Sequence, residues 1–238
     1  MWLSSIICFN HKSKILYYHD ICGEKSYKSL DSDVLMGTPL DVFKEHLKVI
    51  QSEGFKVVSH ISKSEGEVAI LLDDGFRGIW DNRSFFYSQP WKPTVFLAHD
   101  LIGKEGFLTI PKILELQNHG FNFECHSWSH TDLTQYSEEE WIKELKESKN
   151  WLSKKLNREI TEICLPLGYF SDNLVEKINE FGYKEIYSSV PGNYSDLLNN
   201  RLRRRNCCQF ANPAEVKLIL RGGNELIAKR YFRMHYKP

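Results

Sequence analysis

Short apolar runs alternate with segments of helical period along most of this chain. The runs at 14–19, 55–59, 68–72, 94–98, 121–125, 162–165 and 184–188 are bounded by turn residues, which predicts seven strands. Between them, 39–53 carries Leu40, Phe43, Leu47 and Ile50 at steps of three and four and stops at Gly54, as an amphipathic helix does. The segment 109–118 opens with a Thr cap and Pro111 and closes at Gly120. Ser137-Glu138-Glu139-Glu140 is a capping-box sequence that starts the longest predicted helix, to about Leu156, and 171–181 is a further helix closed by Gly182.

Strand and helix in repeated alternation predict a parallel sheet under helices. Roughly seven such units, with no glycine fingerprint for a dinucleotide, favour an α/β barrel over an open doubly wound sheet. Barrel chemistry collects where strands end and loops begin. His19, Asp73-Asp74, His126 with His130, and Pro166-Leu167-Gly168 each follow a predicted strand.

Composition narrows the classes. At 238 residues with 42% hydrophobic and 26% charged side chains, the chain has the balance of a globular protein and the length of a single domain, 1–238. Its formal net charge is zero, so the overall balance offers nothing to nucleic acid or to an anionic membrane. The run Arg201-Leu202-Arg203-Arg204-Arg205 is a local exception, read as a basic patch or a solvated face. Met1 to Phe9 lacks a basic start and a cleavage site and is too short to span a bilayer, and the six cysteines form no paired framework, so a cytoplasmic location with reduced thiols is expected.

Two segments carry the chemistry. Leu71-Leu72-Asp73-Asp74-Gly75-Phe76 sets adjacent carboxylates at the end of an apolar run, where like charges repel unless a cation or proton intervenes. His126-Ser127-Trp128-Ser129-His130 spaces two imidazoles so that one loop aims both at one ion, while strand alternation turns Cys125 into the core. Two His and one carboxylate leave positions open on a divalent metal, as a catalytic site requires, and the remaining carboxylate is free to act as a base. Neutral imidazole suits zinc, with cobalt, nickel, manganese or iron as alternatives. The aromatic set Trp80, Phe85, Phe86, Tyr87 and Trp91 is read as core rather than as a sugar platform.

Asp-Asp-Gly-Phe, His-x3-His and Cys164-Leu165-Pro166-Leu167-Gly168 together resemble the first three motifs of the polysaccharide deacetylases, the NodB-homology carbohydrate esterases of family 4. Tyr17-Tyr18-His19-Asp20 resembles the opening strand of the permuted, biofilm-polysaccharide type of that family. The resemblance implies an irregular (β/α)7 barrel and a metal-dependent hydrolase that removes the N-acetyl group from an N-acetylated amino sugar in a glycan or glycan precursor. It implies Asp73 as general base, Asp74, His126 and His130 as metal ligands, and the Leu167 N–H as oxyanion donor. Pro166, Gly168 and Trp128 would contact substrate. His19 would be the general acid, with Asp20 favouring its charged form and His235 as the rival, and Arg204 would orient Asp73. Removal of formyl or another small acyl group, and a catalytically silent glycan-binding relative, are the competing readings.

Overall fold

The computed structural model describes residues 11–23 and 36–238, so the expectation for Met1 to Phe9 lies outside the described residues. In chain order its strands are β1 (Lys14–Tyr18), β2 (Asp20–Cys22), β3 (Gly37–Pro39), β4 (Lys56–Val58), β5 (Glu67–Leu72), β6 (Thr94–Leu97), β7 (Asn122–Cys125), β8 (Glu162–Cys164), β9 (Glu185–Tyr187), β10 (Leu202–Arg203) and β11 (Asn206–Cys207). The helices are α1 (Leu40–Ser52), α2 (Gly78–Asp81), α3 (Arg83–Tyr87), α4 (Ile110–Asn118), α5 (Glu138–Trp141), α6 (Ser148–Leu156), α7 (Asp172–Glu180), α8 (Pro213–Leu220) and α9 (Ala228–His235). All seven expected strands and the four expected helices form. A π-helical stretch, Ile142–Glu147, joins α5 to α6 into the long helix that the capping box at Ser137 begins.

Nine strands pair in parallel into one curled sheet, in the order β10-β9-β8-β7-β6-β5-β1-β11, while β4 pairs with the first half of β5. This is the expected irregular (β/α) barrel, with two departures. β4 is not a full stave: it holds Glu67, Val68 and Ala69, and β6 takes over the same edge at Leu71. The two edge strands, β10 and β11, are two residues each and lie in the arginine-rich run, where no apolar pattern announces them. β10 ends at Arg203 and β11 starts at Asn206, so the seam between the sheet's edges is at most about 11 Å wide there. Only Arg204 and Arg205 cross it.

Alternation along each strand divides the core in two. Leu16, Tyr18, Val68, Ile70, Leu72, Phe123, Cys125 and Ile163 face outward into the layer beneath the helices. Ile15, Tyr17, Ala69, Leu71, Phe96, Cys164 and Tyr187 face the barrel interior. Burial on both faces explains why β5 reads as a continuous apolar run. Phe86 and Trp91 are buried in the outer layer, so that part of the aromatic set is core. No helix among the described residues is long and apolar enough to cross a membrane.

Candidate active site

The inward parity of β5 continues past its end: Ala69 and Leu71 face the interior, and Asp73 is next in that series. Its N–H donates to the Tyr18 carbonyl at 3.0 Å, which anchors it at the barrel mouth. Asp74 would point outward by the same alternation, but its φ is +70°, a left-handed turn continued by Gly75 at +77°. That turn brings both carboxylates to the interior, where both are buried.

The histidine loop is built by comparable means. Cys125 is outward and His126 inward, as alternation predicts. Ser127 and His130 have φ of +66° and +60°, and the Ser127 hydroxyl accepts the His130 N–H at 3.1 Å. Glu144, buried in the π-helical stretch, accepts the N–H groups of Trp128 and Ser129, each at 3.0 Å. A π-bulge in an α-helix often marks a functional position, and this one aims a carboxylate at the loop that holds both imidazoles.

His126 Nε2 lies 3.2 Å and His130 Nε2 2.9 Å from Asp74 Oδ1. His126 Nδ1 donates to the Cys164 carbonyl at 2.8 Å, so in the neutral ring its Nε2 presents a lone pair, not a proton, to the carboxylate. Asp74 Oδ1 is buried without a hydrogen bond. Acceptors converging on one buried point fit a divalent cation, and these ligand atoms lie within 4.8 Å of one another. An overlapping set, Asp73, His126 and Cys164, fits less well. Burial pushes the Cys164 thiol well up, and Asp73 already has a cation.

That cation is Arg205, not Arg204. Arg205 Nη1 and Nη2 donate to Asp73 Oδ1 and Oδ2 at 2.8 and 3.0 Å, its Nε donates to the Ser188 carbonyl at 2.9 Å, and its guanidinium lies 4.2 Å from the Tyr17 ring centroid. Cys164 Sγ adds a contact at 3.6 Å to Asp73 Oδ2. Burial alone would raise the Asp73 pKa, but Arg205 and then His126 outweigh it, and the carboxyl lies below its usual value. Arg204 instead donates to the carbonyls of Asp196 and Pro191. Parity is the reason: Leu202 and Cys208 are outward and Cys207 inward, so 205 points in and 204 out. That reading was available in the sequence once Leu202 was taken as core.

A cavity of about 210 Å3 joins these groups, lined by His19, Asp73, Asp74, His126, His130, Leu167 and His235, with Tyr17, Met36, Leu165, Ser189 and Tyr231. Leu167 sits at φ +57° in the Pro166–Gly168 turn. Pro166, Gly168 and Trp128 do not line this cavity. Pro166 is buried, and a Cβ on Gly168 would come within 2.5 Å of the Ser189 hydroxyl, so Gly168 serves close packing. Trp128 turns away to stack on His99, with ring centroids 3.6 Å apart. Asp20 is likewise not the partner of His19: its side chain packs toward Gly78, and burial pushes it up to about 7. Gln209 takes that place, its Oε1 hydrogen-bonded to His19 Nδ1. His235 Nδ1 is bonded to the Tyr231 carbonyl at 2.7 Å.

The polysaccharide deacetylase family model matches residues 60–186, more than half the chain, which includes Asp73, Asp74, His126, His130 and Leu167 but neither His19 nor Arg205. The protein YxkH of Bacillus subtilis (strain 168), which carries a polysaccharide deacetylase name, is 23% identical over 192 residues, covering 76% of this chain and 66% of its own length. The chain thus spans just under two thirds of that relative. Among solved structures, Streptococcus pyogenes deacetylase PplD in complex with acetate superposes with a TM-score of 0.74 at 22% identity, over 88% of this chain and 98% of that one. IcaB from Ammonifex degensii gives 0.74 at 13% identity, over 89% and 98%. At these identities the two structures speak for the fold, and the match across residues 60–186 decides the membership: this chain belongs to the polysaccharide deacetylase family.

Proposed function

We propose that residues 1–238 form one catalytic domain that hydrolyses the N-acetyl group of an N-acetylated amino sugar, within a glycan or a glycan precursor, with a divalent metal held by Asp74, His126 and His130. The observation that carries this reading is the division of the two carboxylates. Asp74 meets two imidazoles, whereas its neighbour Asp73 is held apart by Arg205 and keeps its charge at the mouth of the same cavity.

When bound, a divalent cation, zinc foremost, supplies a Lewis acid that polarises a carbonyl and lowers the pKa of water. The Asp73 carboxylate takes a proton from the attacking water, and its charge, already stabilised by Arg205, is available over the whole neutral range. The Leu167 N–H donates to the oxygen that becomes negative as the carbonyl turns tetrahedral. His19 Nδ1–H donates to Gln209 Oε1, which leaves Nε2, protonated in the imidazolium form, to deliver its proton to the departing amine. The products are acetate and a free amino sugar. Acetate in the PplD complex supports this choice of acyl group.

The test is acetate and amine release from a panel of N-acetylated amino sugars, free and linked, before and after chelation. Equimolar acetate and amine, lost on chelation and restored by zinc, is the expected result. Formate release alone, or acetate release that survives chelation, would overturn the reading.

A further inference from the structure

Beside the catalytic cavity lies a second, larger concavity of about 390 Å3, in the size range of small-molecule sites. Ser189 and Tyr231 line both, so the two meet along a shared wall. Pro191, Phe210, Ala211, Leu218, Ile219 and Ile227 make the rest of its surface largely apolar. The one acid in that wall, Glu215, is turned to the start of α8, where it accepts the Asn212 N–H at 2.7 Å. The whole lining falls in 189–231, beyond the residues 60–186 that the family model matches.

The rim adds an independent observation. Of the eight exposed large hydrophobic residues among those described, Phe210, Leu218, Leu226, Ile227 and Met234 fall between positions 210 and 234, and Leu226 is 86% exposed. Lys229, Arg230 and Arg233 stand exposed among them and pair with no acid among the described residues. Lys217 and Arg221 share a single acid, Glu53. Protruding apolar side chains beside unpaired cations match the interface of an anionic bilayer, where apolar groups enter the acyl boundary and each nearby cation adds attraction.

We propose that this groove seats the apolar chain of a lipid-linked N-acetylated amino sugar, whose sugar occupies the catalytic cavity, and that the rim around Leu226 rests on an anionic bilayer that carries this substrate. The proposal deepens the deacetylase reading above and rests on it for the sugar end only. A free polar glycan has no use for a wall of Pro191, Phe210, Leu218 and Ile219, whereas each methylene that leaves water there gains about fourfold in affinity.

The experiment compares the methyl and decyl glycosides of one N-acetylated amino sugar, below the concentration at which the decyl compound aggregates, by calorimetric binding and by kcat/KM. The decyl compound is expected to bind and react at least about tenfold better. Leu218→Glu, an exposed substitution at the groove mouth, should reduce that ratio to about threefold or less. In a second arm, vesicles of phosphatidylcholine with and without phosphatidylglycerol are sedimented with the full chain. Binding should require the anionic lipid and drop several-fold in the double variant Leu226→Glu with Met234→Glu. Decyl and methyl compounds that bind equally, or a decyl preference that Leu218→Glu leaves intact, would overturn the groove. Vesicle binding that is absent, or indifferent to Leu226→Glu with Met234→Glu, would overturn the bilayer and leave a protein partner as the occupant of the rim. Tight decyl binding without acetate release would remove the deacetylase reading and leave the groove standing.

Discussion

Replacing Arg205 with methionine removes every donor that faces Asp73 from the seam of the barrel while keeping much of the aliphatic volume. The pair is buried, with side chains 1% and 4% exposed, and is joined by two parallel charge-assisted hydrogen bonds. Removing one partner of such a pair strands the other charge and costs about 3–5 kcal/mol. The Ser188 carbonyl also loses its donor, worth about 1 kcal/mol more. For a chain of this size each kcal/mol moves Tm by about 2–4 °C, so a fall of about 10–20 °C is expected. Arg204→Met removes bonds to two carbonyls from a half-buried side chain and should cost about 1 kcal/mol. Urea unfolding of Arg205→Met, Asp73→Asn and the double variant gives the coupling directly, and it should reach about 2–3 kcal/mol, because the double variant strands no charge. A second readout follows from the sign of the Asp73 shift. Burial raises its pKa and Arg205 lowers it, so without Arg205 the base is protonated at higher pH and the acid limb of kcat/KM moves up. Arg205→Met no worse than Arg204→Met, or a coupling below about 0.5 kcal/mol, would refute the assignment of Arg205 as the partner of the base.

Asp74→Asn and His126→Ala should lose bound metal and activity together, while Asp73→Asn keeps the metal and loses roughly two to four orders of magnitude in turnover; elemental analysis beside rates checks the division, and equal metal loss in Asp73→Asn would contradict it. His19→Ala should keep fold and metal and lose most activity on the amide, with less loss on an ester of the same sugar, because alkoxide departs more readily than amide anion; that pattern in His235→Ala instead would reassign the acid. The Asp20 carboxyl is pushed up to about 7 by burial from an ordinary 3.8, so the folded chain holds a proton that the unfolded chain releases, and stability falls as pH rises between these values. Asp20→Asn should flatten that slope and raise Tm at pH 8, and a slope unchanged in thermal melts from pH 4 to pH 8 would reject this account.

What the sequence by itself determined is what short-range period can carry. The parity of 69, 71 and 73 along β5 already aims Asp73 inward, and the same rule parts Cys125 from His126. The capping box at Ser137 and the glycines after the helices mark the boundaries that the structure shows. Membership of the family was legible because Asp73-Asp74-Gly75-Phe76 and His126-x3-His130 are each contiguous in the chain. Other features depended on which strands became neighbours. Arg205 meets Asp73 across 132 positions and Gln209 meets His19 across 190, contacts that exist because β11, from the far end of the chain, pairs with β1 beside β5. Trp128 left the cavity for His99, and the groove arises where α8 and α9 fold over the seam, outcomes set by packing between distant segments. A pattern of period two or 3.6 states which face a side chain takes, but it cannot state what waits on that face: that is decided by which strands become neighbours and by how far the sheet curls.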